Sequence, residues 1–306
     1  MKAKERTATP ERADVDHEKR PLSASQISLW LSCGRKYAFR YVHRLEAEHR
    51  PAALSFGRAV HSALETLHLA RLEGERPDPT TIVRLFRADW QAEVDLGLSF
   101  KIDESANLLR HLGENLVFEY AKWIGDRKVV AAEQPFEVEL IDPETGECSG
   151  EFLRGFFDVI FENDVVGEVK TAARRFDEGT LARKIQFSAY AYAWRQMRER
   201  DPTVLVISLL KQRRPELSAV VAPRTRADDA FFVQLALEVA DAIDQGCFPA
   251  NPSFMCPDCE YARACRAFRG ERGFIHAPPR AVGDLVPVGA LVPKVLAEAR
   301  AASANT

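Results

Sequence analysis

No run of apolar residues in this sequence approaches the ~18 uninterrupted positions that a transmembrane helix needs. The first 20 residues also lack the apolar core of a signal peptide. Neither sign of charge is in large excess, because the formal net charge is −3 at pH 7. These absences argue against a membrane-spanning or secreted protein and favour the cytoplasm. A nucleic-acid ligand would need a local basic patch rather than a globally basic protein.

Cysteine is scarce, and half of it is clustered. The six cysteines are at positions 33, 148, 247, 256, 259 and 265. Disulfides are rare in a reducing compartment, so the close spacing of Cys256, Cys259 and Cys265 predicts a metal site. A Cys₄ zinc site and an iron–sulfur cluster both need a fourth thiolate. Spacing alone does not choose among the other three cysteines.

The pattern of residues changes along the chain. The composition, 46% hydrophobic and 28% charged, fits one large soluble domain or two small ones. Residues 1–20 are nearly all polar or charged and predict a disordered tail. Helical spacings follow, including stretches at about 80–97 and 103–125, before residues 129–141 alternate as a strand does. Residues 271–306 form an extension without clear periodicity, apart from a short helix near 294–302.

The segment after Pro21 predicts a helix that breaks near Cys33-Gly34, with Ser25 as the candidate N-cap. Beyond the break, basic residues are interleaved with Tyr37, Phe39 and Tyr41. Such interleaving is typical of a nucleic-acid surface on which bases stack. It is also typical of an amphipathic helix with solvated cations, and both interpretations stand at this point.

Residues 151–171 are the segment around which the other motifs are interpreted. Two stretches rich in β-branched and aromatic residues flank residues 162–164, Glu-Asn-Asp, which have turn composition. If these three residues form the loop, Asp158 lies directly opposite Glu168, and Lys170 shares the face of Glu168. Opposed carboxylates in apolar surroundings are costly unless they are protonated or bridged by a cation. The pattern therefore predicts a divalent metal site, which an even loop length would remove.

A helix predicted to run through about Leu72 places His61, Glu65 and His68 on one face. A histidine on a helix is commonly a core or surface residue. Gly57, however, allows a close backbone approach one turn before His61, which favours His61 as a ligand.

Five motifs follow one another in a set order. They are Gly57-Arg58-Ala59-Val60-His61, Gly155-Phe156-Phe157-Asp158, Gly167-Glu168-Val169-Lys170-Thr171, Gln186-Phe187-Ser188-Ala189-Tyr190 and the cysteine triplet. This ordered set resembles the RecB-type PD-(D/E)XK nucleases. It is most similar to the branch with a 4Fe-4S cluster, which includes the AddB nuclease domain and the CRISPR-adaptation nucleases. The resemblance spans about residues 21–270.

The resemblance implies an α/β fold in which helices flank a central mixed β-sheet. It implies a helical lobe at about 60–125, a catalytic core at about 129–215, and an iron–sulfur region made of residue 33 and residues 256–265. Two positions depart from the usual wording of the family. Glu168 replaces the commoner aspartate, and Gly34 replaces the proline that usually follows the first cysteine. Neither change removes a needed functional group.

The resemblance also implies roles for the matching residues. His61, Asp158 and Glu168 would bind Mg²⁺ or Mn²⁺ with the Val169 carbonyl, and Lys170 would position or polarise the attacking water. Gln186 and Tyr190 would steady Lys170 or the scissile phosphate. Cys33, Cys256, Cys259 and Cys265 would hold the 4Fe-4S cluster, with a structural Zn²⁺ as the alternative.

The expected function is metal-dependent hydrolysis of DNA by an exonuclease that acts on single strands or open ends. The setting would be recombination, repair, phage replication or CRISPR adaptation. The alternatives are a DNA-end-binding module of a larger complex, linked to a helicase or an integrase, and a zinc-stapled protein whose carboxylates are structural. Candidate contacts to the DNA backbone are Arg174, Arg175, Arg183, Lys184, Lys211, Arg213 and Arg214.

Overall fold

The computed structural model describes residues 21–212 and 214–267, so the predicted tail and the whole predicted extension, with its short helix near 294–302, lie outside the described residues. The helices are α1 (Ala24–Ser32), α2 (Gly34–Tyr37), α3 (Ala52–Leu72), α4 (Pro79–Asp95), α5 (Ala106–Ile124), α6 (Glu178–Arg183), α7 (Ile185–Arg198), α8 (Arg226–Asp244) and α9 (Ala262–Ala267), with a π-helical turn at Ala38–Val42 and a 3₁₀ turn at Cys256–Asp258. The strands are β1 (Val129–Ile141), β2 (Cys148–Phe161), β3 (Val165–Ala172), β4 (Thr203–Leu210) and β5 (Glu216–Val221). None of the helices in these two ranges combines the length and apolar character of a membrane span.

The strands of the described residues form one sheet in the order β1-β2-β3-β4-β5. β3 and β4 run parallel, whereas the other neighbouring strands are antiparallel. A parallel pair needs a long crossover, and α6 and α7 supply it. The predicted fold class, a mixed sheet flanked by helices, is confirmed.

Apolar clusters cover both faces of the sheet. On one face α3, α4 and α5 pack residues such as Phe56 and Trp90 against Val159. On the other face α1, α7 and α8 pack residues such as Trp194 against Phe157. Each fully buried side chain of this size contributes about 1.5–3 kcal/mol. The sheet is therefore fixed between two helical layers, and α3 and α7 approach it from opposite sides.

The predicted break between the first two helices is present, because Cys33 is extended (φ −165°) between α1 and α2. The predicted N-cap, Ser25, was wrong. Ser23 caps α1, since its hydroxyl accepts a hydrogen bond from Gln26 N at 3.2 Å and Gln26 Oε1 accepts one from Ser23 N at 2.9 Å. Gln26 completes a reciprocal capping box from Ser23, and Ser25 has no such partner three residues later.

Of the two interpretations of the stretch with interleaved basic and aromatic residues, base stacking is wrong for Tyr37 and Phe39, which are only 5% and 3% exposed. Tyr37 stacks on Phe248 with 5.9 Å between ring centroids, and Phe39 lies 5.9 Å from Tyr261. Tyr41 is half-buried and packs 5.0 Å from Tyr37. These aromatic residues hold the start of the domain against residues 248–261.

Candidate active site

β2 and β3 form the predicted hairpin, with Glu162, Asn163 and Asp164 in the turn. Asn163 and Asp164 have positive φ values of 62° and 56°, a conformation that Asn and Asp tolerate better than most residues. The paired positions are Val159 with Gly167, Ile160 with Val166 and Phe161 with Val165, so the predicted register is confirmed. The next position brings Asp158 opposite Glu168. There the strands part, because β2 continues along β1 while β3 continues along β4.

Asp158 lies in this split and is mostly buried. Its Oδ2 accepts a hydrogen bond from Val169 N at 2.9 Å and lies 3.8 Å from His61 Nδ1. Burial, together with the Glu168 carboxylate, raises the pKa of Asp158 well above its usual range. Burial lowers the pKa of His61, although Glu168 opposes the effect. The imidazole is therefore neutral at pH 7 and has a lone pair for a metal ion.

Glu168 is 1% exposed and lies where β2 and β3 separate, on the side of α7. Polar groups from β3 and α7 bind its carboxylate. Lys170 Nζ forms an ion pair with its Oε1, and Gln186 Nε2 donates a hydrogen bond to the same oxygen at 2.9 Å. Burial opposes the charge of Lys170, but the carboxylates of Glu168 and Asp158 outweigh it and raise the pKa of Lys170. Lys170 is therefore a cation at neutral pH and not a general base.

Tyr190 lies one helical turn after Gln186 and is buried. Its hydroxyl donates a hydrogen bond to the Phe156 carbonyl at 2.7 Å and accepts one from Gln186 Nε2 at 3.3 Å. Phe156 comes two residues before Asp158 on β2. Tyr190 therefore positions the backbone beside Asp158 and is not placed by these contacts against Lys170.

The three polar residues predicted to share a face of α3 have different surroundings. His61 reaches Asp158, and Glu65 lies close enough to Glu133 to affect its titration. His68 is a core residue, since its Nε2 is 2.7 Å from the Tyr120 hydroxyl and burial lowers its pKa to about 3. Of the two histidines on this face, His61 is the one that contacts the candidate site.

Sequence reasoning missed Glu133 on β1. In the β1–β2 register, Ala132 pairs with Val159 and Gln134 pairs with Phe157, which places Glu133 opposite Asp158. Acids therefore stand at neighbouring positions on three adjacent strands: Glu133, Asp158 and Glu168. Burial, with the carboxylates of Glu65 and Glu168, raises the pKa of Glu133 to about 7. The sequence carries little signal for this residue, because register shifts interrupt the β1–β2 pairing at both ends of β1.

Two buried polar atoms in this region have no hydrogen-bond partner among the described residues, Glu168 Oε2 and Ser208 Oγ. Ser208 is 1% exposed and pairs with Lys170 in the β3–β4 register. An unsatisfied carboxylate oxygen in a buried site is costly, and a bound cation or water would satisfy it.

The residues fit a divalent cation in donor chemistry, because carboxylate and carbonyl oxygens with one neutral imidazole suit Mg²⁺ or Mn²⁺. His61, Asp158, Glu168 and the Val169 carbonyl would hold it. Within residues 21–212 and 214–267, no three His, Cys, Asp or Glu residues are arranged closely enough to enclose a metal ion without adjustment. The fit therefore rests on the donor set and on the unsatisfied Glu168 oxygen.

The two cysteine-bearing segments of the chain are in contact. Trp30 Nε1 donates a hydrogen bond to the Cys247 carbonyl at 3.1 Å, and Asn251 Nδ2 donates one to the Ser32 carbonyl at 3.0 Å. Burial raises the pKa of Cys259, and the charge of Cys33 is close enough to add to the effect. The predicted cysteine ligands, Cys33, Cys256, Cys259 and Cys265, are free thiols that come from both segments. Their chemistry fits a thiolate-ligated metal group.

The predicted basic contacts are distributed around the end of β3 and β4. Arg174, Arg183, Lys184 and Arg214 are exposed, Lys211 is half-buried, and Arg213 lies outside the described residues. Arg175 is exposed but forms an ion pair with Glu216. The exposed members are available to a polyanion, whereas Arg175 would first have to leave its carboxylate partner.

A hairpin that brings two carboxylates and a lysine together, flanked by a histidine from one helix and a glutamine from another, is the arrangement of a metal-dependent nuclease. The family model of the PD-(D/E)XK nuclease superfamily matches residues 21–266, and the chain belongs to that superfamily. Nucleases of this superfamily typically use divalent metal ions and act on DNA.

One solved structure shares the fold of this chain. A protein from Eubacterium rectale assigned as an exonuclease has a TM-score of 0.52 at 13% identity, over 89% of this chain and 95% of that chain. This likeness shows the fold alone. The structure of SSO0001 has a TM-score of 0.34 at 15% identity, over 67% of this chain and 96% of that chain, which is too low to bear on the fold. No curated protein matches the chain.

Proposed function

We propose that this protein is a cytoplasmic, metal-dependent DNA exonuclease that acts on single-stranded or open ends. Its setting would be recombination, repair, phage replication or CRISPR adaptation, alongside helicase, recombination or CRISPR-adaptation proteins. The observation that carries the proposal is the convergence of His61, Asp158, Glu168 and Lys170 where β2 and β3 part. An unsatisfied buried carboxylate oxygen in the same place favours a cation-dependent enzyme over a structural pair of acids.

A divalent ion bound there would neutralise charge on the scissile phosphate and supply a hydroxide at neutral pH. Asp158 and Glu168 hold hard oxygen donors on two strands, and the Val169 N–H fixes the orientation of Asp158. Lys170 remains protonated beside Glu168, so it stabilises negative charge on the attacking oxygen or the phosphate. Gln186 orients Glu168, and Tyr190 positions the β2 backbone.

We further propose that Cys33, Cys256, Cys259 and Cys265 hold a 4Fe-4S cluster. Four thiolates satisfy such a cluster. The contacts of residues 30–35 with residues 247–251, which precede the later cysteines, support the inclusion of Cys33. A structural Zn²⁺ would use the same thiolates. Broad visible absorption that bleaches on reduction distinguishes the cluster from zinc.

The function is tested with Mn²⁺ and end-labelled single-stranded DNA, using wild type, Asp158→Ala and Lys170→Ala. Removal of a metal ligand or of the cation beside it is expected to lower kcat/KM by at least about 100-fold. Lys122→Ala is the matched control, since this exposed lysine on α5 contacts Glu119 and the Phe118 ring of the same helix and no residue of the candidate site among those described. Equal cutting by wild type and both site variants would assign the activity to a contaminant. DNA binding without cutting by wild type would instead indicate an end-binding module.

A further inference from the structure

Lys211 is a half-buried cation with no carboxylate within 4.0 Å among the described residues. It follows β4 directly, and its backbone N–H donates a hydrogen bond to the Ala172 carbonyl at the end of β3 at 2.7 Å. Its ammonium lies 5.4 Å from the centroid of the Phe56 ring. The half-buried Lys36 and Lys170, by contrast, form ion pairs with Glu260 and Glu168.

The surroundings of Lys211 leave its charge only partly compensated. Burial lowers the pKa of Lys211, the more distant Glu104 opposes this shift, and Lys101 reinforces it. Burying a charge without a partner is costly, so an anion that reaches this ammonium would be bound favourably. The contact with the Phe56 ring holds the ammonium in place, which reduces the side-chain entropy lost when a ligand binds.

Lys211 also lies next to the candidate active site. Ala172 comes two residues after Lys170 on β3, roughly 7 Å along the strand. Phe56 comes five residues before His61 on α3, roughly 7.5 Å along the helix axis. Lys211 therefore stands at the carboxyl ends of the parallel strands β3 and β4, the side of an α/β sheet at which ligands bind.

We propose that Lys211 binds a backbone phosphate of the nucleic-acid strand, adjacent to the phosphate that is cut. This inference rests on the proposed nuclease function and deepens it, because it selects Lys211 from the predicted backbone contacts and specifies which phosphate this residue binds. A phosphate contact positions the strand without reading its sequence. The contact therefore sets how strongly cutting depends on salt, and it does not set a base preference.

The test compares the salt dependence of kcat/KM for cutting of an end-labelled oligothymidylate with Mn²⁺. Lys211→Met keeps the aliphatic stem over Phe56 and removes the charge, Lys211→Gln is a second neutral variant, and Lys211→Arg keeps the charge. Lys128→Met is the matched control. Lys128 is exposed, directly precedes β1 and pairs with Glu162 in the β2–β3 turn, which is at the opposite end of β3 from Lys211.

Losing one phosphate contact to a single strand should make the slope of log kcat/KM against log salt concentration shallower by about 0.7. The ratio of kcat/KM at about 50 mM KCl to kcat/KM at about 200 mM KCl should then be roughly 2.6-fold smaller for both neutral variants than for wild type. Lys211→Arg and Lys128→Met should keep the wild-type slope. A wild-type slope in folded Lys211→Met or Lys211→Gln overturns the inference while the nuclease proposal stands. Wild type that does not cut overturns both.

Discussion

Glu133 combines a left-handed backbone conformation, φ 43°, with a carboxyl whose pKa is raised to about 7 by burial and by the carboxylates of Glu65 and Glu168. A glutamate in an unfolded chain titrates near 4.3, so between about pH 4.3 and 7 the folded protein holds a proton that the unfolded chain has lost. Stability from this group is therefore present at low pH and is lost as pH rises through that window. We expect Glu133→Gln to reduce the fall in Tm between about pH 5 and pH 8 without divalent metal.

Glu137→Gln is the control for this experiment, because Glu137 lies on the same strand but is exposed. It should leave the dependence of Tm on pH unchanged. Added Mn²⁺ should raise the Tm of wild type more at high pH than at low pH, since a cation at the proposed site would bind the acids in their ionised form. Identical curves of Tm against pH for wild type and Glu133→Gln would show that Glu133 is not buried among the other acids.

Residue positions within the central hairpin could be predicted from the sequence, because a three-residue turn and strand alternation fix which side chains oppose each other. Asp158 and Glu168 follow from that geometry alone. Glu133 could not be predicted, since it is brought to them by the β1–β2 register, which is interrupted by irregular positions. For a related reason, the sequence did not decide whether Tyr37 and Phe39 stack on bases or pack in the protein. Aromatic residues among basic residues give the same sequence pattern whether they contact a ligand or pack in the core. Here their packing partners lie more than 200 positions later in the sequence.

At the level of elements, the bounds of β1 and the ends of the hairpin strands at their turn were predictable, because β-branched and aromatic runs end at turn residues. The start of β2 was not, since β2 begins at Cys148, before the predicted segment 151–171. The start of α3 was not, since Ala52 lies before the first strongly periodic residues. The contact between α2 and the segment after α8 was also beyond prediction. Gly34 lies at this contact. The ring of Pro249 lies against it, so a side chain at position 34 would have no room.

Gly34→Ala should therefore destabilise the protein. A Cβ at position 34 would lie 2.8 Å from Pro249 Cδ and 2.9 Å from Pro249 N, closer than real Cβ contacts, and the backbone nitrogen cannot move aside cheaply. We expect a loss of about 1–3 kcal/mol in the free energy of unfolding, measured by denaturant titration.

Gly57→Ala is the matched control, since Gly57 is also helical and its added Cβ would meet only Thr171 Oγ1, at 3.7 Å. This control should be neutral or stabilising by up to about 1 kcal/mol, because alanine is the better helix former. Equal effects of the two substitutions would mean that α2 does not pack against Pro249 as closely as described.

At the scale of the whole molecule, contacts between residues far apart in sequence join residues 35–48 to residues 249–263. Arg35 N donates a hydrogen bond to the Pro249 carbonyl at 3.0 Å, and Lys36 forms an ion pair with Glu260 at 2.7 Å. Glu48 Oε1 accepts a hydrogen bond from Arg263 N at 2.8 Å. These contacts fasten the beginning of the described chain to its end. None of these contacts involves a residue of the candidate active site. The contacts can therefore be weakened without a direct effect on the catalytic residues.

Loss of one of the proposed thiolate ligands should therefore affect stability more than chemistry. We expect Cys259→Ser to lose the visible absorption of the bound group and to lower Tm by several degrees, because binding of a ligated metal group adds to folding free energy. Below the Tm of the variant, kcat/KM should change by less than about twofold, since Asp158 and Glu168 keep their neighbours. Cys148→Ser is the control, because Cys148 is exposed on β2 and should alter neither property. A Cys259→Ser variant with wild-type Tm and no cutting would instead place the cysteine segment in the reaction itself.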